Sequence, residues 1–259
     1  MRIFLEDIEK LENVKLEKIK NDKCVIKHKE KITGSVPFEI TEGATTLTPL
    51  PDGIIKTKIN NGKDDNNGFN SGADPQESEE RLQIFEKKKN FERVGILGLE
   101  HCVDIKTTYK LRTSGRTSNN RLRAILSNMG LEGGVYYLDK NKRAQERKYT
   151  INDFNEIESD EKKIGTWAKK RGVRVKLYSK ATEKGIVNYI DGDLIRFEIV
   201  YTDRKAHSKN RIDDIEETLQ IIKDFVYEYN KLKGKTITSS TKVLDEIIEG
   251  LKRCLEKYI

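Results

Sequence analysis

Four side chains between residues 171 and 202 have the types needed for chemistry on a phosphodiester: Tyr178, Lys180, Arg196 and Glu198. A phenol can attack phosphorus and remain attached as a phosphotyrosine. Carboxylate oxygens suit Mg²⁺ or Mn²⁺, hard cations that would polarise the scissile phosphate. A neighbouring lysine would stabilise developing negative charge or favour a phenolate, whose unperturbed pKa is about 10. Asp104, within CVDIK at 102–106, supplies a second carboxylate. The expected roles are therefore Tyr178 and Lys180 as catalytic groups, Asp104 and Glu198 as ligands of Mg or Mn, and Arg196 near the phosphate. A plainer reading stands beside this one. Tyr178 and Tyr201 would be ordinary strand aromatics, and Glu198 would pair across a sheet with Arg196 or Lys176.

Strands must position these groups. Val173, Val175 and Leu177 alternate with Arg174, Lys176, Tyr178 and Lys180. Ile195, Phe197, Ile199 and Tyr201 alternate with Arg196, Glu198, Val200 and Thr202. Val103, Ile105 and Thr107 oppose Cys102, Asp104, Lys106 and Thr108. Side chains alternate across a strand, so each of these three segments predicts an apolar underside and a polar upper face. A tyrosine, two carboxylates and several cations are thus expected on one surface.

The rest of the chain predicts an α+β fold, with a mostly antiparallel central sheet, helices on one face and a C-terminal helical pair. Residues 1–59 read as an N-terminal α+β segment with strand-like pieces at 24–26 and 53–59. Residues 60–80 are nearly devoid of apolar side chains and read as a flexible loop or linker, because they bury too little to offset their ordering entropy. The sheet domain is expected over 81–206. It would include a helix at 79–89, another from Thr117 or Ser118 to Met129, a strand at 133–138 and a helix within 154–170. Beyond it, Ile215, Leu219, Ile222, Phe225, Val226 and Tyr229 mark one amphipathic helix, and Val243, Leu244, Ile247, Ile248 and Leu251 a second, within 207–259.

Charged residues make up 36% of the 259 and the net charge is +7, which favours an anionic partner, nucleic acid first. The candidate contacts are Arg116, Arg121 and Arg123 on a helix face, Lys142, Arg143, Arg147 and Lys148 in a basic hairpin, and Arg174, Lys176 and Arg196 on the sheet. A solvated turn is the alternative for the hairpin. The sequence contains no glycine-rich phosphate loop, GxSxG elbow or HExxH, and only His28, His101 and His207 as histidines. A zinc site or serine triad is therefore not expected. Three cysteines without ligand or redox spacing, an acidic start and no long apolar run predict a soluble, cytoplasmic protein with no membrane partner.

The order CVDIK at 102–106, VRVKLYSKATEKG at 173–185 and LIRFEIVYTDRKA at 194–206 resembles the replication-initiation-factor family of plasmids and conjugative elements. It is similar, more loosely, to the filamentous-phage replication initiators. The matching positions are Asp104, the pair Tyr178 and Lys180, the spacer Glu183, and then Arg196, Phe197 and Glu198, within a likeness covering about 91–206. Cys102 and Val103 stand where an arginine is usual, Ser179 replaces the common Asp or Asn, and no His-hydrophobic-His metal motif occurs. The resemblance implies a rolling-circle initiator or relaxase-like protein that nicks single-stranded or hairpin DNA through a tyrosine with a divalent metal. The alternative is a catalytically inactive mobile-element protein that binds nucleic acid or a host nucleoprotein complex as a regulator or inhibitor.

Overall fold

The structure, a computed structural model, describes residues 16–30, 45–50, 54–60, 72–111, 116–148, 162–183, 192–233 and 242–259. Among them nine strands form one sheet: β1 (Lys20–Glu30), β2 (Thr45–Pro49), β3 (Ile54–Asn60), β4 (Phe91–Thr107), β5 (Glu132–Leu138), β6 (Ala144–Lys148), β7 (Lys162–Lys170), β8 (Val173–Ser179) and β9 (Asp193–Thr202). Their spatial order is β2-β3-β1-β4-β9-β8-β7-β5-β6, and every pairing is antiparallel. The helices are α1 (Pro75–Lys88), α2 (Arg116–Asn128), α3 (Lys180–Glu183), α4 (Asp203–His207), α5 (Glu216–Lys233) and α6 (Lys242–Glu256). The α+β class, the antiparallel sheet and the C-terminal helices match the sequence expectation.

The alternation read in β4, β8 and β9 sets the two faces of the sheet. Val103, Ile105, Val173, Val175, Leu177, Ile195, Phe197 and Ile199 form the core with apolar residues of α2, α5 and α6. The Phe197 ring meets Phe225 of α5 edge-on at 5.1 Å. Truncating a buried phenylalanine of this kind costs about 3–5 kcal/mol, so this face anchors the centre of the sheet. Strand β4, 17 residues long, pairs with β1 on one side and with β9 on the other. The strands before residue 60 therefore extend the same sheet as those after residue 90.

Two local expectations change. The helix expected within 154–170 is, over its described part, strand β7, hydrogen-bonded between β5 and β8. Ile164, Trp167 and Ala168 repeat at helical spacing, yet β7 buries both faces over 164–168, and a strand covered on both sides loses its period-two signature. The linker reading of 60–80 gives way at its end to the start of α1. The Asp74 side chain accepts from the Gln76 N–H at 3.0 Å and Pro75 occupies the first turn, where its missing N–H costs nothing. Residues 61–71 lie outside the described residues.

Candidate active site

The face of β4, β9 and β8 turned away from the helices carries the predicted residues. Asp104, Arg196 and Tyr178 lie directly opposite one another across the three strands, and Cys102, Glu198 and Lys176 form the neighbouring row. Gly165 of β7 stands opposite Tyr178. A Cβ there would lie 2.2 Å from the Leu177 carbonyl oxygen and 2.5 Å from Tyr178 Cβ, so only glycine permits this approach. Strand β1 adds Lys20 and, at a bulge between Asn21 and Lys23, Asp22.

Arg196 is fully buried and is the hub of the first row. Its Nε donates to Asp104 Oδ1 at 2.7 Å and its Nη2 to Asp104 Oδ2 at 2.8 Å, while Nη1 reaches Asp22 at 3.3 Å. Lys20 Nζ also donates to Asp104 Oδ2. Burial alone would raise the Asp104 carboxyl, but the charges of Arg196 and Lys20 overcome it and hold the group at about 2. Burial acts against the Arg196 cation too, yet Asp104 keeps it charged, well above its ordinary value. The fork geometry explains why this position is arginine, since one guanidinium satisfies both carboxylate oxygens.

The second row is built around Glu198. Tyr178 Oη donates to Glu198 Oε2 at 2.9 Å, and Lys176 Nζ lies 2.9 Å from Oε1. Burial would raise the Glu198 carboxyl, and the Lys176 cation with its hydrogen bond, then Lys180 and Arg196, bring it to about 2. Burial, followed by the charges of Glu198 and Glu183, pushes the Tyr178 phenol well above its ordinary value. The ring of Tyr136 meets Tyr178 edge-on at 4.9 Å. Its hydroxyl donates to Glu183 at 3.1 Å, and Lys180 Nζ donates to the same carboxylate at 2.6 Å. Lys180 thus stays 5.6 Å from the centre of the Tyr178 ring.

The polar face expected at the surface is largely buried: Asp104 and Arg196 have no exposure, Tyr178 has 2% and Glu198 4%. Glu198 does pair with Lys176, as the plainer sequence reading had it. Lys20, Lys23, Arg174, Lys176, Lys180 and Arg196 all contact carboxylates, drawn from Asp22, Asp104, Glu100, Glu146, Glu183 and Glu198. Six cations meet six anions, so Arg174, Lys176 and Arg196 are each paired with a carboxylate, while Arg174 stays partly exposed. Lys20, Asp22 and Tyr136 escape a sequence reading because their partners lie tens of residues away in other strands.

These residues do not fit a divalent cation in this arrangement. Both oxygens of Asp104 accept from cations, and both oxygens of Glu198 accept from Tyr178 and Lys176. Among the described residues no three His, Cys, Asp or Glu side chains gather as a metal site. An ion with several oxygen ligands at about 2.0–2.6 Å would have to displace the cations already there. His101 supplies no ligand either. It lies on the helix side, with Nδ1 2.7 Å from Thr218 Oγ1 and Nε2 2.9 Å from the Ile212 carbonyl oxygen.

The other predicted nucleic-acid contacts fall on α2, the β5–β6 turn and β6. Arg116 opens α2, Arg121 is half-buried and Arg123 is exposed. Lys142, Arg143 and Lys148 are exposed, whereas Arg147 is half-buried with its guanidinium 5.0 Å from the centre of the Tyr137 ring. No described helix is long and apolar enough to cross a membrane.

No family model and no curated protein matches this chain. Among solved structures, it is similar to the rolling circle replication initiator protein from Geobacillus stearothermophilus, at 15% identity over 80% of this chain and 85% of that one, with a TM-score of 0.36.

Proposed function

We propose that the chain binds a DNA strand and joins it covalently to Tyr178, acting as a rolling-circle initiator or relaxase-like protein. The observation that carries this reading is the convergence of the three sequence motifs. Residues from 104 to 198 meet on adjacent strands, and the Tyr178 hydroxyl rests 2.9 Å from a carboxylate able to take its proton.

In the resting arrangement that transfer is uphill, from a phenol held well above its ordinary value to a carboxyl held at about 2. A bound phosphodiester changes the balance. Lys176 turns from Glu198 to the phosphate oxygens, Glu198 loses its main cation, and its proton affinity rises. Tyr178 Oη then bonds to phosphorus as the bond from phosphorus to a deoxyribose oxygen breaks. The phenolic proton passes to Glu198 and the departing oxygen takes a proton from the Lys180 ammonium.

A second reading, binding without chemistry, is favoured by the burial of Tyr178 and by the cations already paired around it. The test is incubation with single-stranded and hairpin DNA, followed by denaturing electrophoresis of wild type and Tyr178→Phe. A covalent band present only in wild type, and unchanged by a chelator, is expected. Binding with no band on any strand selects the second reading. A band abolished by the chelator would restore the divalent ion to the site.

A further inference from the structure

The cations around Tyr178 are paired, but five exposed ones at the opposite end of the sheet are not, among the described residues. Lys148 closes β6, Lys169 and Lys170 close β7, Arg171 sits in the β7–β8 turn and Arg204 lies in α4, and all five are exposed. None of the five makes an ion pair among the described residues. Lys169 only overlies the Trp167 ring, at 6.0 Å from its centre. Arg123 of α2 stands beside them.

Two clefts hold these groups. One of about 300 Å³ is lined by Arg123, Lys148, Trp167 and Lys169, with Glu132 as its one carboxylate. The other, about 480 Å³, is lined by Arg171, Gly172, Arg204 and Lys205, with Asp203 as its carboxylate. Lys205 is already paired to Glu217 at 2.8 Å. The β7–β8 turn joins the clefts, and Gly172 shapes it at φ +75°, in the region that favours glycine. The row crosses from β6 through β5, β7 and β8 to β9, four strand spacings or about 19 Å.

We propose that this end of the sheet carries the phosphate backbone of a nucleic-acid strand, seated in the two clefts and over the turn between them. Lys148, Lys169, Lys170, Arg171 and Arg204 against Glu132 and Asp203 leave a net positive edge, and the release of counterions from a polyanion drives its occupancy. The fully described exposed large apolar side chains are Ile84, Val94, Tyr109, Tyr227 and Ile259, none of them on this edge. The edge therefore lacks the apolar anchors of a protein hot spot or a membrane-inserting surface. Val173 and Tyr178 are five residues apart on β8, which places the track about 17 Å from the tyrosine. That distance is about five base-pair rises. The proposal rests on the reading that this chain binds DNA, but not on Tyr178 chemistry.

The experiment is fluorescence anisotropy with a labelled hairpin DNA bearing single-stranded flanks, titrated at several salt concentrations. For the triple variant K169Q/R171Q/R204Q the affinity should fall about tenfold or more near 0.1 M salt, and the salt slope should flatten by about three. Lys148→Gln with Lys170→Gln should flatten it by about two. Both track variants are also compared in the Tyr178→Phe background, where no covalent link can form, and the same fall in affinity there separates failure of the track from failure of the covalent chemistry. Thermal melts should be unchanged in the triple variant, since exposed substitutions stay within about 0.5 kcal/mol. Wild-type affinity and slope in both track variants would overturn the proposal, as would polyglutamate competing as well as DNA. Absence of wild-type binding at every salt concentration would overturn the track and the DNA-binding reading together.

Discussion

The two ends of strand β8 are both rich in cations, and the protein treats them in opposite ways. At the Tyr178 end each cation faces a carboxylate and the row is buried. At the Val173 end Lys148, Lys169, Lys170, Arg171 and Arg204 are exposed and make no ion pair among the described residues. Burial explains the difference. A charge withdrawn from water must be paired and hydrogen-bonded or it destabilises the fold, whereas a charge at an exposed edge keeps its hydration until a ligand displaces it. The buried network stores local order, and the exposed edge stores affinity.

Breaking the buried network gives the largest expected effect. Arg196→Met removes the hub and leaves Asp104 and Asp22 without their shared cation. A loss of about 3–5 kcal/mol of stability is expected, read as a lower denaturant midpoint. The triple variant Lys20→Met, Asp104→Leu and Arg196→Met should recover part of that loss, because neither a carboxylate nor an ammonium is then stranded around position 104. If Arg196→Met melted like wild type, the network would not be the structural centre described above.

Acid sharpens the same contrast. Asp104 and Glu198 are held at about 2 in the folded chain, below their ordinary 3.8 and 4.5. Their stabilisation is therefore fully present above those ordinary values and is lost as pH falls through about 2. Each contributes on the order of 2–3.5 kcal/mol on this account. Glu100 has the opposite sign, because burial and the Glu198 charge raise its carboxyl, and protonating it relieves a cost. Unfolding followed by circular dichroism should fall steeply between about pH 4.5 and 2 in wild type. In Glu198→Gln that acid limb should be shallower.

The smallest of these effects should come from Tyr178→Phe. The change removes one hydrogen bond to a charged acceptor but leaves Lys176 on Glu198. A loss of about 1.5–3 kcal/mol is expected, with DNA affinity unchanged. If stability stayed at the wild-type level, the phenol would not be latched to Glu198, and the tyrosine would be free to act without the switching of Lys176.

Much of this was legible from the amino-acid order alone. Alternation in 102–108, 173–180 and 195–202 gave the strands and the membership of each face, because side-chain direction on a strand follows from covalent geometry. The amphipathic stripes of α5 and α6 were equally plain. Strand β7 is not legible in this way, since its burial on both sides erases the alternation. The start of α1 was present in the pair Asp74 and Pro75, but it was outweighed by the polar composition before it.

Residue types and spacing determined that Asp104, Tyr178, Arg196 and Glu198 would share a surface. They could not determine whether that surface was wet or dry. Only the tertiary structure placed Lys20 of β1 against Asp104, Asp22 of β1 against Arg196, and Tyr136 of β5 against Tyr178. Strand order alone decides such contacts, and pairing between segments tens of residues or more apart leaves no local trace in the chain. The same holds for the basic edge. Arg123, Lys148, Lys169 and Arg204 come from four separate elements and become one surface only because antiparallel strands bring alternate ends of the chain to the same side of the sheet.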